Sequence, residues 1–179
     1  GDFRSYGLGS GLASPGVRDV WCSDRAWFFA TDGGLSVVRP RPGPAGQSPF
    51  DFADNWRLIL ASDGQPSNAL TAVAATPWSV WVGTADSGVA VSHVDDLEFW
   101  TVYRASGGGL PSDRVLDIAW DPLGGSVLVA GSVEAIFPKL FDSPAARVSA
   151  FLDFGNVYNG YKNFSASELR ASAGIALLW

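Results

Sequence analysis

The sequence contains no methionine, one cysteine (Cys22) and one histidine (His93) among 179 residues. One cysteine permits no internal disulfide, and one histidine permits no multi-histidine metal site within a single chain. Charge is scarce: 17% of residues are charged and the net charge is −6. A charge-rich disordered chain is excluded by this composition. A general nucleic-acid binder is excluded too, because no basic surplus exists to neutralise phosphates. The composition is also wrong for a coiled coil or long helix. No apolar run approaches the roughly 20 residues of a membrane-spanning helix. A chain that begins at Gly1 without methionine is expected to be a trimmed product or a fragment, with any targeting signal already removed.

What is abundant is glycine (21), proline (11), tryptophan (8) and hydrophobic residues (47%). These are arranged in a repeat. The first copy reads Phe3-Arg4-Ser5-Tyr6, Val17-Arg18-Asp19-Val20, Trp27-Phe28-Phe29-Ala30-Thr31 and Gly34-Leu35-Ser36-Val37. The second reads Trp56-Arg57-Leu58-Ile59, Leu70-Thr71-Ala72-Val73, Val80-Trp81-Val82-Gly83-Thr84 and Gly88-Val89-Ala90-Val91. The third reads Trp100-Thr101-Val102-Tyr103, Val115-Leu116-Asp117-Ile118, Val127-Leu128-Val129-Ala130-Gly131 and Val133 to Phe137. The first copy is lengthened by an inserted Pro-rich loop around Arg39–Pro44. A period of about 40–50 residues with four short strands per unit is the signature of a β-propeller. Gly64-Gln65-Pro66-Ser67-Asn68 and Gly109-Leu110-Pro111-Ser112-Asp113 occupy matching places, and their residue types supply turn geometry. Asp32-Gly33-Gly34 and Asp86-Ser87-Gly88 read as turns into the fourth strand, whereas Gly131-Ser132-Val133 lacks the double glycine.

Gly109-Leu110-Pro111-Ser112-Asp113-Arg114-Val115 and Val80-Trp81-Val82-Gly83-Thr84 closely resemble the two-component-regulator type of propeller repeat over about residues 1–137. That resemblance implies a periplasmic or extracytoplasmic ligand-sensing module and supplies no ligand residues.

Beyond Phe137 the pattern changes. Residues 138–146 read as a connection and Arg147–Phe154 as a strand; Gly155-Asn156 and Asn159-Gly160 are turn dipeptides, the second being the stronger hairpin signal. Ser167–Trp179 reads as a long strand. Leu169, Ala171, Ala173, Ile175, Leu177 and Trp179 share one face, and Arg170, Ser172, Gly174, Ala176 and Leu178 the other. A wholly apolar face ending in an aromatic residue fits a membrane-barrel strand. The letters Arg147–Tyr158 and Glu168–Trp179 resemble the C-terminal barrel of the outer-membrane barrel-assembly insertase. Within them Ser172, Gly174, Leu177 and Trp179 resemble the β-signal of outer-membrane proteins. Two strands cannot close a barrel, which takes about eight, so insertase activity is not implied.

The joining of two resemblances near Phe137 leaves three readings open: a recombined or engineered chimera, a natural exported protein whose tail converged on barrel-like alternation, or a tail serving as a surrogate fourth blade. Three blades alone leave two apolar flanks uncovered. The expected fold is therefore all-β: three four-stranded antiparallel propeller-like blades (about 1–50, 51–95 and 96–137) plus a C-terminal hairpin over 138–179. Closure is expected through the tail or through oligomerisation.

Candidate chemistry is sparse. His93 precedes Asp95-Asp96 and reads as a solvated loop residue, Cys22 as a small buried one. Asp51, Asp54, Asp95, Asp96 and Glu98 show no calcium-loop spacing. No strand–glycine loop–helix for phosphate is present, and Asn163-Phe164-Ser165 is an incidental glycosylation sequon. Trp81 and Trp56 read as packing residues, Trp78 and Trp100 as exposed aromatic contacts. No catalytic, cofactor or metal site is expected. The main expectation is a non-enzymatic propeller-type binding or scaffold module. The alternative is an outer-membrane barrel-assembly fragment, or a substrate carrying a β-signal. Expected partners are a second copy, through open blade faces, and the barrel-assembly machinery, through the tail. The expected location is the periplasm or outer membrane, with solubility if isolated.

Overall fold

A computed structural model describes residues 3–41, 43–44, 46–107, 110–121, 126–137, 147–159 and 170–178. Twelve strands form three four-stranded antiparallel sheets in chain order. The first contains β1 (Val17–Cys22), β2 (Trp27–Thr31), β3 (Gly34–Val38) and β4 (Trp56–Ile59). The second contains β5 (Leu70–Ala75), β6 (Ser79–Thr84), β7 (Val89–His93) and β8 (Asp96–Tyr103). The third contains β9 (Asp117–Asp121), β10 (Ser126–Phe137), β11 (Arg147–Asn159) and β12 (Arg170–Leu178). Among the described residues the helical segments are single 3-10 turns.

In each sheet the strands pair in chain order, and in the first two sheets tight turns set the reversals from β2 to β3 and from β6 to β7. Thr31 and Thr84 stand at equivalent turns. Each hydroxyl donates to the carbonyl of the glycine that opens the next strand, Gly34 at 2.7 Å and Gly88 at 2.9 Å.

The folding unit is offset from the sequence repeat. Trp56–Ile59 and Trp100–Tyr103, read as opening the second and third copies, instead complete the preceding sheets as β4 and the end of β8. Phe3–Tyr6 carries no strand. A fourth strand contributed across the repeat boundary ties adjacent units together, since its backbone bonds are made to the earlier sheet.

The second sheet is sandwiched. On one side Leu70, Val73, Val80, Val82 and Leu97 pack against Phe28, Leu35, Val37 and Ile59 of the first sheet. On the other, Ala72, Trp81, Val89 and Val91 pack against Ile118, Val127 and Val129 of the third. This double burial is why β5 and β6 read as continuous apolar runs. Backbone links reinforce the stack. Val73 N–H donates to Asp19 Oδ2 at 2.8 Å, the Thr71 hydroxyl to the Val115 carbonyl at 2.7 Å, and Arg39 to the Val94 carbonyl at 2.6 Å. Trp81 is fully buried, gives its indole N–H to Ser79 Oγ at 2.9 Å and stacks on Tyr103 with centroids 6.5 Å apart.

The outward face of the first sheet is covered in part by its own chain. The insertion 39–55 folds back and sets Phe50 among Tyr6, Trp27, Phe29 and Trp56, with Phe29 and Trp56 stacked at 5.7 Å. Val17, Val20 and Leu58 stay exposed beside it.

The third sheet departs from the expected blade. Val127–Gly131 and Val133–Phe137 are one unbroken strand rather than two. The missing double glycine explains this, since no residue there adopts the positive φ that Gly34 (131°) and Gly88 (81°) provide at the equivalent turns. The expected turn at Gly155-Asn156 is likewise absent: both lie inside β11, opposite Ala130 and Val129. The tail neither forms a separate hairpin nor a fourth blade. It supplies β11, which pairs with β10, and β12, which pairs with β11 at the sheet's edge.

Candidate membrane-facing sheet

The tail and β10 form a sheet whose two faces differ in chemistry. The pairing registers set Val133, Leu152 and Ala173 side by side, then Ala135, Ala150 and Ile175, then Phe137, Val148 and Leu177. Over these three rows every side chain is apolar, while farther up the same face Asn156 stands opposite Val129. The opposite face is mixed: it carries Ser132, Asp153 and Ser172, then Glu134, Phe151 and Gly174, then Ile136, Ser149 and Ala176, with Arg170 at its upper end.

The apolar face is continuous with the protein core. In its upper half Val127, Val129 and Phe154 are buried, the two valines against the second sheet. Below Gly131 that cover ends. Ile175 is 78% exposed, and Val133, Phe137, Leu152 and Leu177 are also exposed. An exposed contiguous apolar sheet is uncommon on a water-soluble surface and marks a site that meets another apolar medium. The uncovered apolar rows run over the five residues Ala173–Leu177 of β12, about 17 Å along the strand, which makes them part of an apolar band rather than the full roughly 25 Å band of outer-membrane barrels.

Two glycine–phenylalanine pairs lock the register, one on each face. Gly131 stands opposite Phe154 and Gly174 opposite Phe151. A Cβ built on either glycine would lie 2.3 Å from the facing ring. Each ring therefore lies across its glycine, shielding backbone that a larger residue would cover with its own side chain. A one-residue slip would replace the glycine by a side chain and move every apolar residue to the polar face.

The candidate β-signal lies on the last described strand. Ser172 faces the polar side beside Asp153, Gly174 accommodates Phe151, and Leu177 is on the apolar side beside Val148. Trp179 lies outside the described residues, as do Gly160 and the sequon at Asn163. On its outward side β12 has no strand neighbour among the described residues.

The remaining candidates are dispersed. Trp78 is exposed on the β5–β6 turn. Trp100 is half-buried, packs against the core between the first two sheets, and gives its indole N–H to the Leu97 carbonyl at 3.0 Å. His93 ends β7 and is exposed. Cys22 is also exposed rather than buried, because alternation along β1 turns Trp21 toward the core and Cys22, paired with Trp27, to the outward face. Asp51 accepts from Arg4, from the Tyr6 hydroxyl at 3.0 Å and from Ser48 N–H at 3.1 Å. Partial desolvation raises its carboxyl, but these donors outweigh that and hold it below the ordinary carboxylate range. Burial pushes the Tyr103 phenol up. Among the described residues no three His, Cys, Asp or Glu side chains converge on a metal-sized site. Among the described residues no helix is long and apolar enough to cross a membrane.

The sequence reading missed β10 as a partner of the tail, and with it the third amphipathic strand. Its alternation of Val133, Ala135 and Phe137 against Ser132 and Glu134 was legible, but the strand was assigned to a blade. The glycine–phenylalanine pairs were not legible, since each partner is more than 20 positions from the other.

The model of the Omp85 superfamily domain matches residues 85–179, just over half of the chain. The match spans Phe137, and the third sheet draws strands from both sides of it. No curated protein matches the chain.

Proposed function

The chain belongs to the Omp85 superfamily, and from that membership we propose that it is an outer-membrane barrel-assembly component, or a piece of one, in which β10–β12 are barrel wall. The observation that carries this reading is the run of three wholly apolar exposed rows across the three strands, opposite a face bearing Glu134, Asp153 and Arg170. In a barrel wall the first face meets lipid and the second the polar interior. In this reading the chain acts without catalysis, in the outer membrane with its first two sheets on the periplasmic side. Its partners are further barrel strands and the assembly machinery, engaged through the β-signal residues Ser172, Gly174, Leu177 and Trp179.

A second component is favoured by the first two sheets. They are consecutive four-stranded meanders, and β5 touches both β1 and β9. Such stacking supports propeller-type blades serving as a binding or scaffold module attached to the membrane segment.

Flotation with phosphatidylcholine vesicles tests the membrane reading. Wild-type protein floats with the vesicles and elutes as large aggregates without detergent. Ile175→Lys places a charge on the apolar face, where it costs about 2–4 kcal/mol at the bilayer midplane, and abolishes flotation. Ser172→Lys, on the polar face, floats as wild type. A chain that is monodisperse in plain buffer and does not float would overturn the assignment.

A further inference from the structure

The second sheet carries a cleft unrelated to the membrane-facing strands. It has a volume of about 470 Å³ and is lined by Trp78, Val91, Ser92, His93, Phe99 and Thr101, a size ordinary for a small-ligand site. Its two aromatic rings do little for the fold. Trp78 is 67% exposed and Phe99 77%, and among the described residues neither stacks on another ring.

The backbone nevertheless fixes both. Trp78 N–H donates to Thr76 Oγ1 at 3.2 Å, and the Trp78 carbonyl accepts from Val94 N–H at 3.0 Å. Phe99 is turned outward by a bulge. The β7–β8 register is interrupted between the Val91 and His93 pairings, so Leu97 and Trp100, three residues apart, both meet the inner core and Phe99 faces away from it. Bulges are a common device for re-aiming a side chain.

His93 Nδ1 accepts from Asp95 N–H at 3.3 Å, which leaves Nε2 as an outward donor. The Thr101 hydroxyl has no partner among the described residues. Among the described residues no Asp, Glu, Lys or Arg lines the cleft.

We propose that this cleft binds a neutral carbohydrate. A sugar ring offers an apolar C–H face to Trp78 and Phe99, and its hydroxyls match the Nε2–H of His93 and the free hydroxyl of Thr101. An anionic or cationic ligand finds no counter-charge here. A ligand without hydrogen-bonding groups would cover His93 and Thr101 without satisfying them, which is costly. The assignment is independent of the membrane reading, because no lining residue belongs to β10–β12.

The test is calorimetric titration of the full chain in detergent with cellopentaose, chitopentaose and maltopentaose, and with an uncharged apolar octapeptide for comparison. At least one oligosaccharide is expected to bind saturably. Trp78→Ala and Phe99→Ala should each weaken it about tenfold, the scale of one lost aromatic contact, and Thr101→Val should weaken it less. Both rings are exposed, so the variants should melt with the wild type, and a melting scan verifies this. The proposal is overturned if all three sugars are silent at millimolar concentration, if the peptide binds in their place, or if Trp78→Ala binds as wild type.

Discussion

Replacing Gln65 by leucine should stabilise the protein. Gln65 is 3% exposed, and among the described residues neither its Nε2 nor its Oε1 has a hydrogen-bond partner. Its place in the fold shows why it is buried. Gly11 and Gly64 each end a 3-10 turn with positive φ, 117° and 97°, and the next residue drops into the sheet stack. In the first sheet that residue is Leu12 and in the third Leu110, both buried; in the second it is Gln65. A buried amide without partners costs about 1–3 kcal/mol in proteins, and leucine removes that cost while keeping most of the buried volume. The expected gain is about 2 kcal/mol, or about 4–8 °C in the melting temperature of a chain this size. Gln65→Met, closer in length, should give much of the same gain. Gln65→Glu should lower the melting temperature at neutral pH, because it buries an unpaired charge. Thermal unfolding followed by circular dichroism reads all three. A fall in melting temperature for both Gln65→Leu and Gln65→Met would show that the amide is satisfied in solution, and the argument from the three equivalent positions would be refuted.

Gly174→Val should disorder the β11–β12 pair, since its side chain would meet the Phe151 ring at 2.3 Å; protease protection of residues 147–178 should fall, and Phe151→Ala in the same chain should restore it. Protection unaffected by Gly174→Val would refute the packing role of this glycine. The Asp51 carboxyl sits below its ordinary range in the folded chain, so its contribution is present above the unfolded value and is lost as pH falls through the folded one. Acidification below about pH 4 should therefore loosen the Phe50 cap, read by near-ultraviolet circular dichroism, and Asp51→Asn should remove that acid step. An identical titration in Asp51→Asn would refute it. Trp81→Ala should cost about 3–5 kcal/mol, because the indole is fully buried between the second and third sheets; a loss under 1 kcal/mol in denaturant unfolding would contradict that placement.

Much of the architecture was legible because it rests on local chemistry. Asp32-Gly33-Gly34 and Asp86-Ser87-Gly88 announce turns through residues that tolerate positive φ, and the runs at Val80–Thr84 and Leu70–Ala75 announce strands covered on both faces. The face assignment of Ala171, Ala173, Ile175 and Leu177 followed from period-two alternation, which is a property of any strand. Sheet membership was not legible. Trp56–Ile59 and Trp100–Tyr103 look alike as repeat openers, but which sheet they join depends on which free edge lies nearest after the intervening turn. The cleft escaped for the same reason: Phe99 reads as one more apolar residue of β8 until the bulge turns it away from Leu97.

The sequence by itself determined that the chain is built of short β-strands with reversals at fixed places, and that its last strand is apolar on one side, because turn geometry and side-chain alternation act over a few residues. The tertiary structure alone decided that β10 runs unbroken out of the core to pair with the tail, and that Phe151 and Phe154 lie across Gly174 and Gly131. Those outcomes depend on backbone pairing between segments remote in sequence, whose register is chosen by the joint packing of whole sheets rather than by any one stretch of chain.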